Sequence, residues 1–507
     1  MKKIITTLLA VFVFGTFITY GQYNVLLNFN GTNGSEPSGG VTISGNNIYG
    51  TASIGGAGSG CIYTLHRDGS GYRDLFNFVD STGSLPNNTV TLYNGKFYGT
   101  AWEGGSFRYY GVVYSVDTDG TNYKVLLNFN YTNGDNPPTD LVLSGTRIYG
   151  IASGGGFYGG GCIFTIDTNG NNYKDLYDFG AASGDAPYCK LLLVGTKFYG
   201  TTFDAGTYGG GTIFSIDTNG GNYFVMHNFG NTNDASNSYA TLTLIGGKIF
   251  GTTYFGGSSN KGALFSIDTD GSGYKKILDF NGTNGANPDM GSLKFEGNRL
   301  WGMTSNGGAH NKGLVFSIDT DGSGFLDRFD FNNTVGATPD AQLTFYGSSI
   351  YGETTFGGSS NDGIVFGADT NCFMGSILVS SNITCHGYNN GSASISVSGG
   401  ASPYTYLWSN SSTQSSVSNL STGTYSVTLS DNSGNCSQTN SFTITQPAVL
   451  TSVTATITSN VSCHGGNDGN ASVIITGGGA PYHYSWANSS STVVSTFNPS
   501  GPFLSAG

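Results

Sequence analysis

The nine-residue string FSIDTDGSG occurs twice, from Phe265 to Gly273 and from Phe316 to Gly324, 51 residues apart. Verbatim repetition at that interval marks a chain built from one supersecondary unit used many times, each too small to bury its own apolar face. Two markers keep the same beat. A Tyr-Gly step, with Phe or Trp sometimes replacing Tyr, recurs at Tyr49, Tyr98, Tyr149, Tyr199, Phe250, Trp301 and Tyr351, at intervals of 49 to 51 residues. An aromatic-led run also recurs seven times: YNVLLNF from Tyr23, YRDLFNF from Tyr72, YKVLLNF from Tyr123, YKDLYDF from Tyr173, YFVMHNF from Tyr223, YKKILDF from Tyr274 and FLDRFDF from Phe325. Seven units of about fifty residues lie in the range of propeller blades.

The residue types say what each unit is made of. The 507 residues include 82 glycines, 31 tyrosines and 33 phenylalanines. Glycine punctuating aromatic and β-branched runs means short strands and tight turns, so the expected fold class is all-β. Each unit holds four strand candidates, here lettered a to d from the hub outward. In the third unit they are LVLSG from Leu141, RIYGIAS from Arg147, GCIFTIDT from Gly161 and YKDLYDF from Tyr173. A tight turn joins a to b, and Asp-Thr-Asn-Gly joins c to d, its Gly supplying a positive φ. The first d-type strand, Tyr23 to Phe29, precedes any a, b or c strand. The last a, b and c strands, from Leu343 to Thr370, have no d strand after them. The count predicts a seven-bladed β-propeller closed by the N-terminal strand, with both sheet edges hidden. An open solenoid would instead leave one unpaired strand at each end.

The pattern Y-G-T-T…G-G…G-x-x-F-S-I-D-T-D-G, carried by residues 23 to 371, resembles the GloVer tandem-repeat proteins, a bacterial exported family regarded as propeller-like. The resemblance implies the scaffold and brings no activity with it. After Thr370 the fifty-residue beat stops. ITCHGYNNGSASISVSGGASPYTYLWSN from Ile383 aligns with VSCHGGNDGNASVIITGGGAPYHYSWAN from Val461. Alternation such as Ser-Ile-Ser-Val reads as half-buried strand, and Trp408 suits the core of an immunoglobulin-like β-sandwich. These stretches resemble SprB repeats of large surface proteins in gliding Bacteroidetes, which implies a setting of adhesion and gliding motility. The expected domains are a signal peptide over 1–21, the propeller over 22–371, one SprB-like repeat over 378–449 and a second, incomplete one over 456–507.

Lys2 and Lys3, the apolar stretch from Ile4 to Thr19 and small Gly21 read as a secretory signal peptide. A retained anchor is the alternative, although the run is short for a span. No other stretch is long enough to cross a membrane, and the mature chain is expected to be secreted and attached to the cell surface. A net charge of -12 without a Lys/Arg stripe repels phosphate backbones and argues against nucleic acid as a partner. Of seven cysteines, Cys385 and Cys436 bracket the first sandwich and are expected to form a disulfide. Cys463 matches Cys385. Cys61, Cys162, Cys189 and Cys372 are expected as buried thiols. The Cys-His pairs at 385/386 and 463/464, taken as strand neighbours, would point to opposite faces and not share a metal.

No nucleophile elbow, His-Glu-x-x-His or phosphate-cradling loop is present, so no catalytic residue, metal or cofactor is assigned. The Asp-x-Asp/Asn-Gly turns at Asp117, Asp167, Asp217, Asp268 and Asp319 are similar to the opening of calcium loops. No bidentate Glu closes them, and a hairpin turn explains the same residues. Carboxylates expected on loops of different blades are Glu103, Asp135, Asp185, Asp204, Asp289 and Glu353. Two of these meeting at the channel would make a polysaccharide-degrading enzyme.

Loop length points elsewhere. The a–b and c–d turns share one face and are short, whereas the b–c and d–a loops share the other and are long. Trp102, Phe107, Tyr109, Tyr110, Tyr158, Tyr208, Tyr254, Phe255 and Phe356 lie in or beside the long set. Aromatic faces near Asn and Asp suit hydroxyl-rich ligands, unless the rings only plug the loops against each other. The expected function is a surface recognition or adhesion protein that binds glycan or protein on this face, with the sandwiches as spacer. A glycan-cleaving enzyme and a ligand-free surface-layer component are the alternatives.

Overall fold

The computed structural model describes residues 23–370, 374–398, 402–430, 437–478, 482–487 and 493–495. The expected signal peptide, Cys372 and Cys436 lie outside these residues. Two compact units emerge, and one of them is Tyr23–Thr370.

This unit is all-β and contains seven four-stranded antiparallel sheets. Six are built from consecutive repeats, as in Val142–Ser144, Arg147–Ala152, Cys162–Asp167 and Lys174–Asp178. The seventh joins Thr344–Tyr346, Ser349–Thr354 and Ile364–Asp369 to the N-terminal strand Tyr23–Asn28. Tyr23 faces Ala368 and Asn28 faces Ile364, which is the pairing the strand count requires.

Both sequence markers now have a physical cause. The b and c strands of each repeat are covered on both faces by neighbouring sheets, so Asn47–Ala52 and Cys61–His66 are buried almost throughout instead of alternating. Where b and c pair, the Gly of the Tyr-Gly step leaves room for the ring opposite. A Cβ on Gly150 would lie 2.4 Å from Phe164 Cζ, and one on Gly251 2.6 Å from Phe265 Cζ. The leading aromatic of the second marker joins each sheet to the one before. Tyr223 stacks on Tyr177 at 4.0 Å and donates its hydroxyl to Ser183 O at 2.5 Å. Tyr23 does the same, stacking on Phe329 at 3.8 Å and donating to Val335 O at 2.7 Å. Tyr223→Phe is therefore expected to lower the unfolding free energy by about 1 kcal/mol, and Tyr223→Ala by about 3–5 kcal/mol, read from denaturant unfolding.

The first and seventh sheets meet as their neighbours do. Phe29, Val41, Ile48 and Tyr63 share one buried cluster with Tyr351 and Val365. Thr344 Oγ1 donates to Val41 O at 2.6 Å, the counterpart of Thr42 to Val90 O at 2.5 Å and Thr243 to Leu293 O at 2.5 Å. Glu36 N donates to Asp362 O at 2.9 Å.

In the C-terminal part, Met374–Ser381, Gly391–Ser398 and Ser416–Leu420 form one three-stranded sheet. Thr405–Trp408, Gly423–Ser430 and Ser437–Ile444 form another. Ile395 and Val417 of the first share a core with Trp408, Val427 and Phe442 of the second. In the second copy Ala448–Ser459 pairs with Asn470–Gly478. Cys385 and His386 lie in a turn, not on a strand as expected, because Tyr388 N donates to Cys385 O and closes the chain on itself. Cys385 is exposed, and Cys61, Cys162 and Cys189 are buried thiols. Burial pushes Cys61 up to about 12 and Cys189 to about 11, which keeps both unreactive. No helix among the described residues is long and apolar enough to cross a membrane.

Candidate functional site

One residue per repeat lies two places before each innermost strand: Gly40, Thr89, Asp140, Lys190, Thr241, Ser292 and Gln342. Several of them meet. Gln342 Nε2 donates to Thr89 Oγ1 and to Asp140 Oδ2, both at 2.8 Å. Thr89 N donates to Asp140 Oδ1 at 2.7 Å, and Lys190 Nζ lies 3.3 Å from Asp140 Oδ2. Ser292 Oγ and Lys294 Nζ each donate to Gln342 Oε1 at 3.0 Å. Beside this polar knot is a cavity of about 30 Å³ lined by residues of all seven repeats. A space that small admits water and little else. The innermost ends of all seven repeats therefore converge here.

Next to the knot, on the side of the long loops, two further sets of equivalent positions form a rim. Each d–a loop turns on a left-handed residue, among them Ala186 at φ 51, Asn237 at φ 58, Asn287 at φ 53 and Thr338 at φ 54. The residue two places later is then Tyr188, Tyr239, Asp289 and Asp340 in the last four repeats. Trp102, Tyr254, Ser305 and Thr355 directly follow the b strand in repeats two, five, six and seven, and Phe203 stands two places after it in repeat four.

The aromatic members touch in sequence. Trp102 lies parallel to Tyr188 at 6.2 Å, Tyr188 meets Tyr239 at 5.2 Å and Phe203 at 5.9 Å, and Tyr239 meets Tyr254 at 5.5 Å. All five rings are half-buried, so each keeps part of its surface in solvent.

Where this arc ends, the rim turns acidic. Burial holds the Asp289 and Asp340 carboxyls above the ordinary range, and the charge of Asp340 pushes Asp289 further up. Thr355 Oγ1 donates to Asp340 Oδ2 at 3.0 Å, while Asp340 Oδ1 is buried without a hydrogen-bond partner. The Tyr239 and Tyr254 hydroxyls are raised by burial first and by the Asp289 charge next, which places the acids within electrostatic reach of the arc. Five rings and two carboxyls thus share one rim.

Of the nine aromatics singled out in sequence, Trp102 and Tyr254 belong to this arc, and Phe255 meets Tyr254 edge-on at 4.7 Å. The others are spread around separate loops. Phe107 is 49% exposed, Tyr109 has the Arg108 guanidinium 5.7 Å from its ring, and Tyr110 packs on Tyr131 at 6.2 Å. Tyr158 meets Phe157 at 4.9 Å, and Phe356 is held by a backbone bridge to Ala337. Tyr208 lines a different pocket of about 560 Å³ with His227, Asp234 and Tyr274, where His227 Nε2 and Asp234 Oδ2 are 2.9 Å apart.

Among the six carboxylates, Asp289 reaches the rim. Glu103 and Asp135 lie near each other, and Asp135 is pushed up to about 6 by burial, with Glu103's charge adding. Asp185 and Asp204 are joined by a backbone bridge, and Asn237 Nδ2 donates to Asp204 Oδ1 at 3.1 Å.

Glu353 is not a loop carboxylate. It lies within strand Ser349–Thr354, is fully buried, and accepts from Tyr63 OH and, at 2.8 Å, from Gly40 N. The turn aspartates have local partners of their own: Arg147 Nη1 to Asp167 at 2.8 Å and Asn172 Nδ2 to the same carboxylate at 2.6 Å, with Lys248 to Asp268 and Arg299 to Asp319 repeating the ion pair. Tyr188, Phe203, Tyr239 and Asp340 were missed in sequence. Aligning the repeats column by column finds them, since they occupy the same two positions as Trp102, Tyr254 and Asp289.

Residues 11–202, 94–299 and 190–418 match the Gloeobacter/Verrucomicrobia repeat in three overlapping stretches, and the chain belongs to that family. Residues 455–491 match the SprB repeat. No curated protein sequence matches the chain.

Among solved structures, the chain is similar to PorZ, an essential bacterial surface component of the type-IX secretion system of Porphyromonas gingivalis. Identity is 12% and the TM-score 0.45, over 83% of this chain and 61% of PorZ, so the chain spans about three fifths of that protein's length. It is also similar to the GH74 enzyme of Niastella koreensis, at 12% identity and TM-score 0.47 over 90% of this chain and 73% of the enzyme. A third is the oligogalacturonate lyase of Vibrio parahaemolyticus, at 9% identity and TM-score 0.47 over 70% of this chain and 96% of the lyase.

Proposed function

We propose that the chain is an exported cell-surface recognition protein that binds glycan at the aromatic arc, with its SprB-like sandwiches as spacers. The scaffold in this reading is a closed seven-bladed β-propeller. What supports closure is that Tyr23–Asn28 supplies the outer strand of the seventh sheet, and that Thr344 to Val41 repeats the inter-sheet bond of the other repeats. The observation that carries the function is the run of half-buried rings from Trp102 through Tyr188 and Tyr239 to Tyr254, bordered by carboxyls. Ring faces stack on the apolar faces of sugars while carboxylates accept hydroxyl protons. The test is a glycan array probed with the full chain. Tyr188→Ala and Tyr239→Ala are each expected to weaken the positive glycans by about 10–100-fold, since truncating a central ring removes roughly 1–3 kcal/mol. An array without any positive glycan overturns the reading.

A polysaccharide-degrading enzyme is the second reading. One observation favours it: Asp289 and Asp340 are neighbouring carboxyls with raised proton affinity, a condition for a general acid. New reducing ends released from a bound glycan, and lost in Asp289→Asn, would establish it; binding without turnover excludes it.

A further inference from the structure

Resting on the glycan reading, we propose that the rim selects an amino glycan, a sugar chain whose free protonated amine sits between Asp289 and Asp340 while adjoining sugars stack on Tyr239 and Tyr254. The rim offers a cation several attractions, while the lysines of the adjoining knot are engaged with Asp140 and Gln342. Neither aspartate is in an ion pair among the described residues, although the turn aspartates are paired with Lys or Arg. Asp340 Oδ1 is buried and lacks a donor, with only Thr355 satisfying its other oxygen. Ser305 Oγ lies beside it outside strict hydrogen-bond geometry, and like Thr355 it pulls the Asp340 carboxyl down against burial. A protonated amine brings three donors to this spot.

The electron-rich faces of Tyr239 and Tyr254 attract the same cation, and a chain of net charge -12 draws cations toward it. Burial disfavours two carboxylates side by side. A cation held between them relieves that, so binding draws both into the ionised state and expels protons. An N-acetylated sugar has one amide donor and no charge, and an acidic sugar is repelled.

The experiment is calorimetry on the full chain with a glucosamine oligosaccharide and its fully N-acetylated twin. The amine form is expected to bind about tenfold or more tightly, a preference that shrinks with added salt. It should also release protons, seen as a binding heat that depends on the ionisation enthalpy of the buffer. Asp289→Asn and Asp340→Asn are each expected to bring the ratio of the two affinities to about one and to remove the proton release, whatever each variant does to the acetylated form. Should either variant fail to fold, the salt and buffer dependence of the unaltered chain still decides.

Equal affinity for the two sugars overturns this inference and leaves the glycan reading standing. Binding of neither, with capture of a lysine-rich peptide instead, overturns both.

Discussion

A full chain that lacks Tyr23 to Phe29 is expected to lose the cooperative unfolding transition of its repeat unit. The deletion removes a complete ladder from the seventh sheet, the stack of Tyr23 on Phe329, and Phe29, which is fully buried between the first and seventh sheets. It also exposes the edge of Ile364–Asp369 to pairing with other chains. Phe29→Ala alone is expected to lower stability by about 3–5 kcal/mol, roughly a fifth or more of what a typical domain has in total.

The informative control moves the strand instead of removing it. Residues 22–30 placed after Thr370 would supply the same ladder from the other end, and thermal unfolding followed by circular dichroism should then recover a single transition. If the deletion unfolds at the same temperature as the parent, the closed ring is wrong.

The second large effect is on pH. Burial pushes Glu353 up to about 7 against an ordinary value of 4.5, although its bonds from Tyr63 OH and Gly40 N pull the other way. A carboxyl whose folded pKa is raised binds its proton more tightly in the native chain. Its contribution is therefore fully present below pH 4.5 and is lost as pH rises through about 7. The loss is roughly 3 kcal/mol, at about 1.4 kcal/mol per pKa unit.

Glu353→Gln keeps the shape without the charge. Its amide can donate to the Tyr63 oxygen while its carbonyl accepts from Gly40 N. Denaturant unfolding at several pH values between about 5 and 8 should show the parent falling and the variant falling less. Asp135 and Asp340 shift in the same direction, so the difference between parent and variant, not the slope of either, isolates Glu353. Parallel profiles would show that the buried carboxyl does not titrate there.

The repeat was legible because its markers answer to contacts that every sheet must make. Gly150 and Gly251 are glycine because a ring lies opposite, and Tyr23 and Tyr223 are tyrosine because a neighbouring carbonyl waits for the hydroxyl. Such demands recur every fifty residues and survive as a visible beat. The rim is the opposite case. Its positions are free to differ between repeats, so no local pattern distinguishes Tyr188 or Asp340 from the proline-led turns around them. The long loops point instead to Phe107, Tyr109 and Tyr158, which are exposed and stand apart from the arc. Glu353 misled for another reason: a charged residue inside a strand buried on both faces looked like a loop residue, because burial of a lone carboxyl is costly and rare.

The pairing of Tyr23 with Ala368 sets the order in which this molecule can be finished. The first strand of this unit must wait unmatched until its partner, the last strand of the unit, has been synthesised. Six sheets can assemble as the chain grows, yet the seventh cannot gain its outer strand on a partial product. A polypeptide threaded through a pore amino-terminus first would therefore carry that sheet one strand short throughout transit, and would complete it only on the far side.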